Sequence, residues 1–282
     1  MNVHAQWRFD MARDLSDRLQ RYPGIQAMLV GGSVARGYAD AYSDIELLLF
    51  WDHAPDPELR RTIMRDLQAE LRYPAFDPGH GSALVIRGVP VDLWHLTVAG
   101  QEADMDAVLR DYSIDLVASN RLDTVRTGIP LHGADLIHEW QRRVDGYPGE
   151  LAVGMLQAYL PHFHLRQLNL AARRDNPTAY YHTLTDIQCS LFLVLLALNK
   201  SYFPTFKWIY QRLAELPIGP ERVAPRLLQM FAEPPLRASA QLRDVLAETL
   251  AIVEAQYPQL DTAYPRFGLD QTPPAPEPPA SL

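Results

Sequence analysis

Gly31-Gly32-Ser33 stands ten residues ahead of Asp44-Ile45-Glu46 in this chain of 282 residues. The glycine pair ends a short apolar run, Ile25 to Val30, and glycines at such a point let the backbone approach a ligand closely. Ser33 is placed to cap a short helix over Val34 to Gly37, and the unpaired amides of a helix start favour phosphate. Arg36 falls within the first turn and adds a charged donor. The acidic group opens a second apolar run, Asp44 to Trp51, and because strand side chains alternate, Asp44 and Glu46 share one face. Two hard oxygen ligands beside a phosphate cradle make a magnesium site. Asp92, in Pro90-Val91-Asp92-Leu93-Trp94-His95, offers a third carboxylate within an otherwise buried strand. There it costs on the order of several kcal/mol unless it binds metal or pairs with an arginine. If its strand lies beside the Asp44 strand, the three carboxylates converge as two-metal phosphoryl transfer requires, with one ion for the attacking oxygen and one for the leaving group.

Several elements must hold these residues. Helical spacing predicts a first helix over Trp7 to Arg21, ended by Pro23-Gly24, before the strand Ile25 to Val30. Pro57 to Arg72 reads as an amphipathic helix, Ala83 to Arg87 and Val89 to Thr97 as a hairpin turning at Gly88, and Gln101 to Leu116 as a helix. After about Gly133 the pattern is helical almost throughout: Ala134 to Val144, Glu150 to Arg173, Pro177 to Leu198, Thr205 to Leu216, Glu221 to Phe231 and Ala238 to Gln256. The last stretch, Gln271 to Leu282, carries five prolines and reads as a disordered tail. The expected fold class is α/β (α+β): a small mixed-sheet catalytic domain over 1–133, an all-helical substrate-binding domain over 134–268, and a Pro-rich tail over 269–282.

These strings resemble a known superfamily. Gly31-Gly32-Ser33 with Asp44-Ile45-Glu46, plus Asp92 on a later strand, is similar to the signature of the DNA-polymerase-β-like nucleotidyltransferases. Gly32-Ser33-Val34-Ala35-Arg36-Gly37 and Tyr42-Ser43-Asp44-Ile45-Glu46 most resemble the aminoglycoside and lincosamide antibiotic nucleotidyltransferases and their uncharacterised bacterial relatives. The specific part spans about Val30 to Asp92. The resemblance implies that Gly32 and Ser33 hold a nucleoside triphosphate, with ATP the expected one. Asp44, Glu46 and Asp92 would then hold magnesium, expected as two ions. A nucleoside monophosphate would pass to a hydroxyl of a small acceptor, an antibiotic among the candidates, with release of pyrophosphate. Leu196 to Phe203, followed by Lys207-Trp208, resembles the helical domains of those enzymes more weakly; Lys200 and Lys207 are its conspicuous cations and candidate triphosphate contacts. Some aminoglycoside relatives draw a glutamate base from that domain. Residues 151–181 contain no glutamate, which leaves Asp92, a histidine such as His164, or no separate base. The family also leaves a homodimer open.

Other residues read more plainly. Asp40 is a turn residue, Asp77 and His80 belong to a Pro-Gly loop, and His95 alternates to the face opposite Asp92. Composition narrows the partners. With 26 Lys and Arg against 34 Asp and Glu, the net charge is −8, which argues against nucleic acid or an anionic membrane surface. It suits a cationic acceptor. Cys189 is the single cysteine, so no internal disulfide forms. A cytoplasmic setting is expected, with Cys189 a buried, inert thiol. The competing function is a protein-modifying nucleotidyltransferase, as in antitoxins that transfer AMP to a partner toxin; transfer to RNA ends and a non-catalytic nucleotide-binding role rank lower.

Overall fold

The structure, a computed structural model, describes residues 1–73 and 81–271. The chain forms two compact units, Met1–Tyr147 and Pro148–Leu282. The fold is mixed α/β: a sheet unit comes first, then a helical one.

In the first unit the order is α1 (Val3–Leu19), β1 (Ile25–Val30), α2 (Gly32–Arg36), β2 (Ile45–Trp51), α3 (Pro57–Asp66), β3 (Glu70–Leu71), β4 (Gly81–Ile86) and β5 (Val89–Thr97). There follow α4 (Val98–Leu109), α5 (Leu116–Thr127), β6 (Ile129–His132) and α6 (Ala134–Val144). Among the described residues six strands make one sheet in the order β3-β4-β5-β2-β1-β6. Only β2 and β5 run parallel; every other neighbouring pair is antiparallel. The hairpin turns through Arg87 and Gly88, both at positive φ (52° and 79°), which matches the twist of a two-residue connection.

Alternation sorts β2 into two faces. Ile45, Leu47, Leu49 and Trp51 join Leu15 and Leu19 of α1 in the main core, with Met28, Val30, Val91 and Leu93. Leu48 and Phe50 point the other way, where Phe50 meets Trp140 of α6 edge-on at 4.9 Å. Asp44 and Glu46 share that second face, at its opposite end. α6, expected to begin the helical domain, packs on β1 and β6, so the division between units falls after Tyr147 rather than after 133. α5 and β6 were not anticipated: residues 116–132 carry buried and exposed positions in a pattern visible only once α4 and β1 lie beside them.

The predicted helix over 57–72 stops at Asp66. Gln68 takes φ 55°, and the chain re-enters the sheet as the edge strand β3, paired with β4 through Glu70↔Val85 and Leu71↔Leu84. Edge pairing overrides local helical spacing here.

The second unit comprises α7 (Gly149–Tyr159), α8 (Arg166–Arg173), α9 (Pro177–Leu198), α10 (Ile209–Glu215), α11 (Val223–Gln229), α12 (Pro235–Gln256) and α13 (Ala263–Leu269). The predicted helix over 150–173 is broken after Tyr159 by a short 3₁₀ turn containing Pro161, a residue that cannot continue the ladder. α9 is capped by the Asn176 side chain, which accepts from the Ala179 amide at 3.1 Å, and is packed by α7, α8 and α12. It is long and apolar enough to cross a membrane, yet 67% of its apolar window is buried inside the protein, as in a core helix. Burial, with Asp186 nearby, pushes the Cys189 thiol pKa up, away from nucleophilic chemistry. Ordered structure runs past residue 269: Asp270 pairs with Arg243 at 2.8 Å and the Gln271 carbonyl accepts from Asn169. The prolines of the expected tail lie outside the described residues.

Candidate active site

The glycine turn and the acidic strand meet. The Gly31 amide donates to the Glu46 carbonyl at 2.9 Å, extending the β1–β2 pairing by one step into the turn. Gly32 has φ +59°, and a Cβ there would run into the Glu46 carboxylate; glycine keeps that carboxylate flush against the start of α2. The cap of α2 is Gly31, with no side-chain hydrogen bond, rather than Ser33. Ser33 lies inside the first turn, buried, its carbonyl accepting from the Tyr38 and Ala39 amides.

The parallel pairing of β2 with β5 sets Glu46 directly beside Asp92, 46 residues later in sequence. Register partners share a face, so Glu46 and Asp92 stand side by side, with Asp44 just ahead of β2 on the same side. Asp44 is held from behind by α1. There Arg8, 3% exposed, donates to the Ser43 carbonyl at 2.9 Å, the His4 carbonyl at 2.9 Å and the Ala41 carbonyl at 3.3 Å. Burial pulls the Arg8 pKa down, and the charges of Asp40 and Asp44 oppose that pull. Asn2 adds to the clamp by donating to the Gly37 and Ala39 carbonyls. Asp40 is the turn residue expected, its Oδ1 accepting from the Tyr42 amide and from Ser43 Oγ.

One strong participant escaped the sequence reading. Arg72 donates to Asp92 Oδ1 at 2.7 Å, and its second terminal nitrogen lies 3.8 Å from Asp44 Oδ2. Its backbone amide donates to the Ala83 carbonyl, one step past the Leu71↔Leu84 pair. Arg72, Ala83, Asp92, Glu46 and Gly31 therefore form one row across the sheet. Desolvation opposes the Arg72 charge, but the charge of Asp92 and its hydrogen bond, with Tyr73 and Asp44, outweigh it and raise the guanidinium pKa. The signal in the sequence was Arg72 itself; placing it in a helix hid its relation to Asp92.

Arg36, expected to contact phosphate, turns instead to α5. Its Nε donates to Asp123 Oδ2 at 3.2 Å and its terminal nitrogen pairs with the same oxygen, the two side chains being 8% and 1% exposed. Its charge is committed to this strut between α2 and α5. His95 packs on the other face, with Nε2 3.2 Å from Ser82 Oγ and its ring 5.9 Å from that of Trp51. Asp77 and His80 lie outside the described residues. Lys200 and Lys207 are exposed residues of the second unit; Lys207 Nζ stands 5.7 Å from the Trp208 ring.

The donor set suits a divalent cation. All three side chains are hard carboxylates, and Asp44 Oδ1 is buried with no hydrogen-bond partner among the described residues, an oxygen left with acceptor capacity to spare. Among the described residues no three His, Cys, Asp or Glu side chains are gathered closely enough to hold a metal as they stand. Arg72 engages two of the three carboxylates.

Residues 116–209 match the family described as "Domain of unknown function (DUF4037)". No curated protein matches the chain. Among solved structures the chain is similar to the crystal structure of a nucleotidyltransferase-like protein from Exiguobacterium sibiricum 255-15, at 12% identity and a TM-score of 0.42, over 87% of this chain and 76% of that one.

Proposed function

We propose that this chain is a nucleotidyltransferase that moves a nucleoside monophosphate, AMP from ATP in the first instance, to a hydroxyl of a small acceptor. The observation that carries this reading is the register of β2 and β5. It sets Glu46 beside Asp92, with Asp44 on the same face and the glycine turn against Glu46. A purely structural turn needs no such row of acids, and three neighbouring carboxylates repel one another unless a cation answers them.

Each part has a task in this chemistry. The first-turn amides of α2 lack intrahelical partners and, with Ser33, suit the triphosphate oxygens. Asp44, Glu46 and Asp92 would hold magnesium, which when bound supplies positive charge to the triphosphate and lowers the pKa of the acceptor hydroxyl. The acceptor oxygen bonds to the α-phosphorus as the bond to the bridging oxygen breaks; pyrophosphate leaves, and the hydroxyl proton passes to a carboxylate of the row. Arg8 and Asn2 fix the loop that carries Asp44, and so contribute by positioning. The net charge of −8 favours a cationic acceptor over a nucleic acid.

The test is pyrophosphate release with each of the four nucleoside triphosphates and magnesium, across aminoglycosides, lincosamides and a cell metabolite extract. Acceptor-dependent release that disappears in Asp44→Ala is expected. Triphosphate binding without release for any acceptor would move the reading to a protein acceptor or to binding alone.

A further inference from the structure

We propose that Arg72 is a built-in counter-cation for the carboxylate row, and that a divalent metal reaches Asp44 and Asp92 only by displacing it. This rests on the reading that these carboxylates take metal.

Three features point the same way. First, the guanidinium bridges two of the three acids, at 2.7 Å to Asp92 and 3.8 Å to Asp44, so it sits where their charges overlap. It reaches them over Ala83, the residue between Arg72 and Asp92 in the row, which carries nothing beyond Cβ. Second, the bridge is incomplete. Among the described residues Asp44 Oδ1 has no hydrogen-bond partner, although a bidentate arginine would satisfy both carboxylate oxygens. Third, the pair is accessible and has somewhere to go. Arg72, Asp44 and Asp92 side chains are 25%, 22% and 19% exposed, and the Tyr73 ring lies 5.3 Å from the guanidinium, a second attraction independent of the acids.

Arginine keeps its charge throughout the working pH range, so this competition is not relieved by deprotonation. Metal must win by charge and by ligand number. Without metal the arginine holds the acids together against their repulsion; with metal it is released toward solvent, Tyr73 or a bound triphosphate.

The experiment titrates magnesium, without nucleotide, into the full-length wild type, Arg72→Ala and Arg72→Lys by calorimetry, with circular dichroism to verify folding. Arg72→Ala should bind magnesium roughly tenfold more tightly or better, because a hydrogen bond between charged groups is worth about that factor or more. Arg72→Lys, a compact charge that cannot bridge, should fall between. In the wild type the Arg72 Nε–H resonance, assigned by its loss in Arg72→Lys, should move as magnesium is added; this holds the proposal to account even if Arg72→Ala fails to fold. Equal or weaker magnesium binding by folded Arg72→Ala, or an unmoved Nε–H resonance at saturation, would overturn the proposal while leaving the metal reading in place. Folded wild type and variants that all fail to bind magnesium would remove both.

Discussion

Two arginine–aspartate pairs flank the glycine turn, and they differ in kind. Arg36 and Asp123 are 8% and 1% exposed, joined between α2 and α5, and sealed from water. Arg72 and Asp92 are 25% and 19% exposed, and their arginine is shared with a second acid, Asp44. Burial decides what each can do. A charge pair in a dry interior cannot be exchanged for another partner without exposing a lone ion, so it acts as a strut. A pair open to solvent on a surplus of negative charge can be exchanged, because water screens the intermediate and another cation can take its place. The same two residue types thus make a fixed joint on one side of the turn and a replaceable one on the other.

The comparison can be broken most directly at the strut. Arg36→Met leaves Asp123 buried and alone, and should destabilise the first unit by about 3–5 kcal/mol, read as a loss of thermal or denaturant stability. Adding Asp123→Leu should recover most of that loss, since a packed apolar pair of similar volume replaces the ions. A single variant as stable as wild type would mean that Asp123 is not buried as described.

Glu46→Gln comes next. It should keep the melting temperature close to wild type and lower turnover by more than about a hundredfold, since losing a group that only orients a metal ligand already costs roughly 10–100-fold and Glu46 is proposed as a ligand itself. That is about 2.7 kcal/mol of transition-state stabilisation. Full activity would take Glu46 out of the site and leave the glycine turn as a plain connection.

Gly32→Ala sharpens the same point. It forces a Cβ into a left-handed position and into the Glu46 carboxylate, and the strain should cost on the order of 1–2 kcal/mol of stability. Because the displaced atoms are the end of a side chain at the proposed site, triphosphate binding should fall further than stability does.

The smallest effect is expected at the surface pair Arg266–Glu254, 2.6 Å apart in the second unit, whose side chains are each more than a third exposed. The hydrogen bond from Arg266 lowers the Glu254 pKa. A carboxylate depressed on folding adds stability above its unfolded pKa and loses it as pH falls through the lower folded value. Arg266→Gln should therefore lower stability at pH 7 by no more than about 1 kcal/mol, a gap that closes as pH drops below about 4. A constant gap across that range would assign the effect to packing.

Local rules made part of this molecule legible from its residues alone. Short apolar runs marked β1 and β2, the alternation of strand side chains placed Asp44 and Glu46 on one face, and Gly88 marked the hairpin. These are short-range properties, in which a residue's neighbours within a turn or a strand settle the conformation. Tertiary structure decided the rest. Glu46 meets Asp92 only through the parallel register of two strands with α3, β3 and β4 between them in sequence. Arg72 reaches Asp92 only because edge pairing drew residues 70–71 out of a helical pattern into β3. Arg36 chose Asp123, 87 residues away, over the phosphate contact that its place in the motif suggested. Such choices depend on which surfaces lie together and which charges are left dry. Spacing along the chain named the acids; burial and register selected the cation each one meets.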